Sequence, residues 1–118
     1  LILADSSIWV DHFRSRNPNL VALAWQEVLC CHPAVIGELA CGHIADREKN
    51  LALMKGLRRA PIAEDEDVLH LIETHNLMGR GVGYIDMQLL ASAKMLPGLI
   101  WTRDRRLREA AQSLGVSY

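Results

Sequence analysis

Short apolar runs alternate along this chain with longer stretches whose apolar side chains return every three or four positions, a pattern that predicts strands followed by helices. Residues 1–4 (Leu-Ile-Leu-Ala) read as a buried strand, and Asp5-Ser6-Ser7 supplies cap chemistry for a helix to about residue 14. Asn17-Pro18 opens a second helix, with Leu20, Leu23, Ala24 and Val28 at helical spacing. A second apolar piece, 28–31, stops at His32-Pro33, and Pro33 begins a helix over 34–42 that ends on a glycine. Residues 46–59 carry Leu51, Met54 and Leu57 on one side of a further helix. The segment 58–63 contains Pro61 and is at most an edge piece, while 64–67 is an acidic first turn ahead of Val68, Leu69, Leu71 and Ile72. Gly79-Arg80-Gly81-Val82-Gly83 breaks the chain before a helix over 82–95, closed by Pro97-Gly98. Residues 99–102 form a third clear strand, 104–114 the last helix, and 115–118 a candidate terminal edge strand. Short apolar strands separated by helices need both faces of their sheet covered. The expected fold class is therefore α/β: one three-layer domain over residues 1–118, with a short central parallel sheet flanked by helices.

Composition narrows the class without choosing a function. The chain has 118 residues, half of them apolar, enough for one core without disulfide or zinc staples. Thirteen Lys and Arg face fourteen Asp and Glu, a net charge of −1, so an anionic partner has to be met by a local patch. Three cysteines, two of them adjacent, make neither an even framework nor a C-x-x-C clip and fit a reducing compartment. Residues 1–4 lack the basic flank of a secretory leader, and the longest fully apolar stretch, 20–25, is far short of a membrane span. A cytoplasmic location and no membrane partner are expected.

Ligands of an open parallel sheet bind at the carboxyl ends of its strands, and two acids fall there. Asp5 directly follows the first strand, and Asp104 follows Trp101-Thr102 by two residues. Either aspartate also suits a helix N-cap, which is the plainer reading of each. Glu38 and Asp86 instead fall inside predicted helices, on stripes made by Ala34, Val35, Cys41 and Gly42 and by Val82, Gly83, Leu89 and Leu90. A buried carboxylate without a partner costs several kcal/mol or takes up a proton, so such residues need a cation, a shared proton or water. The alternative is that each sits at the border of its stripe and reaches solvent. If Asp5, Glu38, Asp86 and Asp104 converge, their all-oxygen donor set suits Mg²⁺, with Mn²⁺ as a substitute, rather than zinc. Such an ion favours phosphate oxygens, and the matching chemistry is phosphodiester hydrolysis.

The sequence resembles a known family in four ordered acidic motifs that together span nearly the whole chain. These are Asp5-Ser6-Ser7-Ile8-Trp9, Val35-Ile36-Gly37-Glu38-Leu39, Gly83-Tyr84-Ile85-Asp86 with Leu89-Leu90-Ala91, and Trp101-Thr102-Arg103-Asp104 with Leu107. They look like the motifs of PIN domains, and among these like VapC toxins of bacterial toxin–antitoxin pairs. The resemblance implies a PIN-like fold and a Mg²⁺-dependent endoribonuclease. Its acids would be Asp5, Glu38, Asp86 and Asp104, supported by the hydroxyls of Ser6 and Thr102. It also implies inhibition by a cognate VapB antitoxin, and a homodimer.

Other features admit competing readings. Arg103, Arg105, Arg106 and Arg108 crowd one segment beside Asp104, and Arg80 lies in the glycine-rich turn near Asp86. Arg80, Arg103, Arg105 and Arg106 are candidate RNA contacts, but a solvated helix face with Asp104–Arg108 and Arg105–Glu109 pairs explains the same spacing. Cys30, Cys31, His32, Cys41 and His43 fit no common zinc pattern and read better as buried free cysteines with neighbouring histidines. Trp9, Phe13 and Trp25 read as core, although Trp9 and Phe13, four residues apart, could instead line a groove for an antitoxin segment. Two rival functions stand beside the nuclease. One is a PIN-like protein-binding module without turnover; the other is a phosphoacceptor domain using Asp5, which lacks an evident lysine after a late strand.

Overall fold

A computed structural model describes residues 1–118. In chain order its elements are β1 (Ile2–Ala4), α1 (Ser6–Arg14), α2 (Pro18–Trp25), β2 (Leu29–Cys31), α3 (Pro33–Ala40), α4 (Arg47–Gly56), β3 (Arg58–Arg59), α5 (Asp65–Thr74), α6 (Tyr84–Met95), β4 (Leu99–Trp101) and α7 (Arg105–Ser113). The strands form one parallel sheet in the order β3-β2-β1-β4. β1 is paired on both sides and wholly buried, as its uninterrupted apolar run requires. Helices cover the sheet, and the core is filled by Leu3, Ile8, Trp9, Leu29, Met54, Leu77, Leu89, Leu90, Ile100 and Leu107. This is the expected α/β architecture. No helix is long and apolar enough to cross a membrane.

Parallel pairing brings every strand's carboxyl end to one edge. Ala4 is in register with Trp101 and Leu3 with Cys30, so Asp5 and Thr102 leave the sheet side by side, next to His32. Each of β1 and β2 hands the next helix its cap. Asp5 caps α1, and the His32 Nδ1 accepts the Ala34 N–H at 3.0 Å to cap α3, with Pro33 at its first position.

Several boundaries differ from the sequence reading. The helix expected over 46–59 stops at Gly56, and Arg58–Arg59 pairs with Cys30 and Cys31 as an exposed edge strand. The tail contributes only a single parallel bridge, Ile100 to Ser117. The helix expected from residue 82 begins at Tyr84 with Gly83 as its cap. Trp9 is fully buried in the core, where it forms the floor of an apolar cavity shared with Trp25 and Leu53; Phe13 packs against it with ring centroids 5.9 Å apart and is half-buried. Trp25 is the reverse case: expected in the core, it is 84% exposed. Its helix is apolar almost all round, so spacing could not tell its inner face from its outer one. Cys30 and Cys31 are buried, but Cys41 is exposed.

Candidate active site

Asp5 is buried, and its carboxylate is fixed from two elements. Its Oδ1 accepts the Ser7 N–H at 3.0 Å, the Ser7 hydroxyl at 2.5 Å and the Ile8 N–H at 3.3 Å. Its Oδ2 accepts the hydroxyl of Thr102, across the sheet edge at the end of β4. Thr102 Oγ1 in turn accepts the Asp104 N–H at 2.9 Å, and the Arg103 N–H donates to Ser7 Oγ at 2.9 Å. Asp5 is therefore the cap of α1, and the same carboxylate stands at the carboxyl edge of the sheet beside Thr102. The serine that supports it is Ser7 rather than Ser6. Position 7 is the second residue of the helix, whose N–H and side chain both face the cap. That spacing was a signal available in the sequence.

Asp104 stands two residues beyond β4, exposed, and caps α7 by accepting the Leu107 N–H at 3.0 Å on Oδ1. Asp86 lies inside α6 as expected, in its first turn, half-buried and with no hydrogen bond to its carboxylate. Glu38 is exposed at the border of the α3 stripe, above buried Val35 and Leu39. The sequence placed these two acids on inward faces. The later start of α6 and the outward position of Glu38 make them rim residues instead.

The four acids nonetheless share one electrostatic neighbourhood. Burial raises the Asp86 carboxyl to about 6, and the charges of Asp5, Glu38 and Asp104 push the same way. Burial raises Glu38 as well, with the Asp5 charge adding to it. The positive N-terminal ends of α1, α3 and α7, which start from neighbouring strand ends, face this edge and offset part of the repulsion. As the side chains stand, no three acidic, histidine or cysteine groups close on a common point. Carboxylates whose charges bear on Asp86 and Glu38 in this way make an oxygen-only donor set, whose chemistry would suit a hard divalent cation.

The arginines sort by what they already hold. The Arg103 guanidinium pairs with Asp11 of α1, and Arg105 Nε lies 3.6 Å from Glu109 Oε1. Arg108 donates to the Thr102 carbonyl at 2.8 Å rather than pairing with Asp104, a structural role that was not foreseen. Arg80 donates to Ser113 Oγ at 3.3 Å, at the far end of α7 from Asp104. Arg106 makes neither an ion pair nor a side-chain hydrogen bond.

A parallel sheet with acids gathered at its carboxyl edge defines a class, and comparison with known proteins identifies it. Residues 2–113 match the PIN domain model, and the chain belongs to the PIN-domain family. Within that family it is VapC-like. Ribonuclease VapC32 of Mycobacterium tuberculosis, in the strains CDC 1551 / Oshkosh and ATCC 25618 / H37Rv, is 40% identical over 118 residues, spanning 99% of this chain and 95% of the relative. The crystal structure of PAE2754 from Pyrobaculum aerophilum superposes with a TM-score of 0.69 at 16% identity, covering 95% of this chain and 85% of that one. That likeness supports the fold alone.

Proposed function

We propose that this protein is a metal-dependent endoribonuclease of the cytoplasm, the toxin of a VapBC-type toxin–antitoxin pair. The observation that carries the reading is that Asp5, Glu38 and Asp104 lie close enough to Asp86 for their charges to act on it, at the sheet edge of a PIN-family chain. The name of the 40% identical relative supports the substrate class and the antitoxin. Asp5 and Asp86 hold the ion, Glu38 ligates it or orients the attacking water, and Asp104 completes the donor set. Mg²⁺, or Mn²⁺ in its place, supplies charge neutralisation at the phosphoryl group and a more acidic water. Ser7 and Thr102 keep the Asp5 carboxylate in one orientation, so no reorganisation of that ligand is needed when substrate arrives. The proposed partners are RNA, a VapB-type antitoxin and a second copy of this chain. The antitoxin is best sought where exposed Trp25 and Leu53 flank an apolar cavity of about 370 Å³.

A second reading, a binding module without turnover, is favoured by the open arrangement in which no three ligating groups meet. Purified protein incubated with total RNA separates the two. Cleavage that needs Mg²⁺, stops with EDTA and is lost in both Asp5→Asn and Asp86→Asn supports the nuclease. Metal-independent inertness toward RNA, alongside tight antitoxin binding, supports the module.

A further inference from the structure

We propose that Arg106, laid over Gly81, is the phosphate contact that guides a single RNA strand toward the acidic edge that carries Asp86 and Asp104. The inference rests on the nuclease reading for its substrate class and goes beyond it in naming the contact.

Four carboxylates repel a polyanion until an ion is bound, so entry of a strand needs a cation at the mouth that is not already neutralised. On the α6–α7 side of the edge, Arg103 and Arg105 are ion-paired, Arg108 is tied to the Thr102 carbonyl, and Arg80 is drawn to Ser113, while Arg59 ends β3 on the opposite side, beside His32. Arg106 is exposed and uncommitted, and it follows Asp104 by two residues. Its side chain crosses to the loop that leads into α6, where Gly81 precedes Asp86 by five residues. A Cβ placed on Gly81 would lie 2.5 Å from Arg106 Nη1, 2.9 Å from its Cδ and 3.1 Å from its Cζ. The guanidinium therefore rests on bare backbone between the two segments that carry Asp86 and Asp104. Gly81 also has φ +76°, a conformation that suits glycine. The positive φ by itself favours glycine, and the missing Cβ leaves the space in which Arg106 lies. A planar fork held in this way can take a phosphate with two parallel hydrogen bonds.

The test reads the anisotropy of a fluorescein-labelled single-stranded RNA of mixed sequence, titrated with protein in EDTA so that binding is measured without cleavage. Arg106→Ala should weaken binding roughly 5- to 20-fold and lower the salt slope by about one. Arg106→Lys should recover part of the loss, and Arg105→Ala should change affinity by less than about twofold. Gly81→Ala, which displaces the arginine, should weaken the parent but add nothing to Arg106→Ala. Parental affinity in Arg106→Ala, an equal loss in Arg105→Ala, no binding by the parent, or additive effects of Gly81→Ala and Arg106→Ala would each overturn the proposal. Cleavage in Mg²⁺ is scored separately. RNA held through Arg106 by a protein that does not cut it removes the nuclease reading and leaves this inference standing, whereas cleavage with an unchanged KM in Arg106→Ala does the opposite.

Discussion

Asp5, on the β1–β4 side of the acidic edge, accepts four hydrogen bonds, whereas Glu38 and Asp86, on α3 and α6 across from it, accept none. The difference follows from where each acid sits on its helix. A residue just ahead of a helix has unpaired N–H groups aimed at it, and Asp5 takes two of them along with two hydroxyls. Asp86, in the first turn of its helix, and Glu38, near the end of α3, have no such donors within reach of their carboxylates, so burial and neighbouring charge act on them unopposed. One half of the edge is a carboxylate fixed by hydrogen bonds, and in the other half burial and neighbouring charge disfavour the ionised acids. That division makes distinct forecasts for the two halves.

The largest effect should be on activity. Asp5→Asn and Asp86→Asn are each expected to lower Mg²⁺-dependent RNA cleavage by more than about 100-fold, a loss of roughly 2.7 kcal/mol or more in transition-state stabilisation. Both should keep the fold, which circular dichroism would check. A single-turnover assay in which either variant retains parental cleavage removes that acid from the machinery. Next comes the brace. Thr102→Val deletes the donor to Asp5 Oδ2 and the acceptor of the Asp104 N–H while keeping the shape. Urea unfolding should show a loss of about 1.5–3 kcal/mol, and Thr102→Ser should restore most of it. A loss under about 0.5 kcal/mol would mean that Ser7 and the helix amides hold Asp5 unaided.

Asp86 gives the opposite sign. Its carboxyl is raised from the ordinary 3.8 to about 6, so the folded chain holds a proton that the unfolded chain has already released between those values. Below pH 3.8 the group is protonated in both states and contributes no difference. As pH rises through about 6 the folded state must carry the repelled charge, and stability falls. Asp86→Asn removes that penalty. In EDTA at pH 8 it should therefore unfold at a higher urea concentration than the parent, by about 1–2 kcal/mol once solvent screening of a half-exposed group is allowed for. The advantage should vanish near pH 3.5. Added Mg²⁺ should raise the melting temperature of the parent more than that of the variant, because the parent has more repulsion to lose. A variant less stable than the parent at pH 8 would show that Asp86 is not strained by its neighbours.

The same contrast explains what could be read from residues alone. β1, β2 and β4 are legible because each is a short apolar run ended by cap chemistry, and Asp5 is legible as a cap at the carboxyl edge because its position directly after a strand fixes both features. β3 is legible only as the edge piece expected over 58–63, since two exposed arginines carry no apolar signal and also continue the helical spacing before them. Asp86 is legible as a partly buried helical acid, but the start of its helix is read two residues early because Val82 and Gly83 extend its stripe ahead of Tyr84. Trp25 is misread because a helix apolar on all sides does not declare its inner face. The contacts that decide the arginines join residues far apart in the chain, as Arg103 with Asp11 and Arg106 with Gly81, and no local spacing encodes them.

The smallest expected effect tests whether Asp11 holds Arg103 in reserve. The pair is exposed on both sides, with side chains 61% and 37% accessible, so its contribution to stability is slight. Its consequence for charge is larger, because Arg103 is anchored through its N–H to Ser7 Oγ and cannot leave the mouth of the site. Asp11→Ala removes the negative partner and leaves that anchor intact. RNA affinity in EDTA should then rise by about two- to threefold, with a steeper salt dependence, while the melting temperature moves by no more than a degree or so. Adding Arg103→Ala to Asp11→Ala should cancel the gain. If Asp11→Ala leaves RNA binding unchanged, Arg103 faces away from the strand even when unpaired, and steering at this edge belongs to the α7–glycine loop side alone.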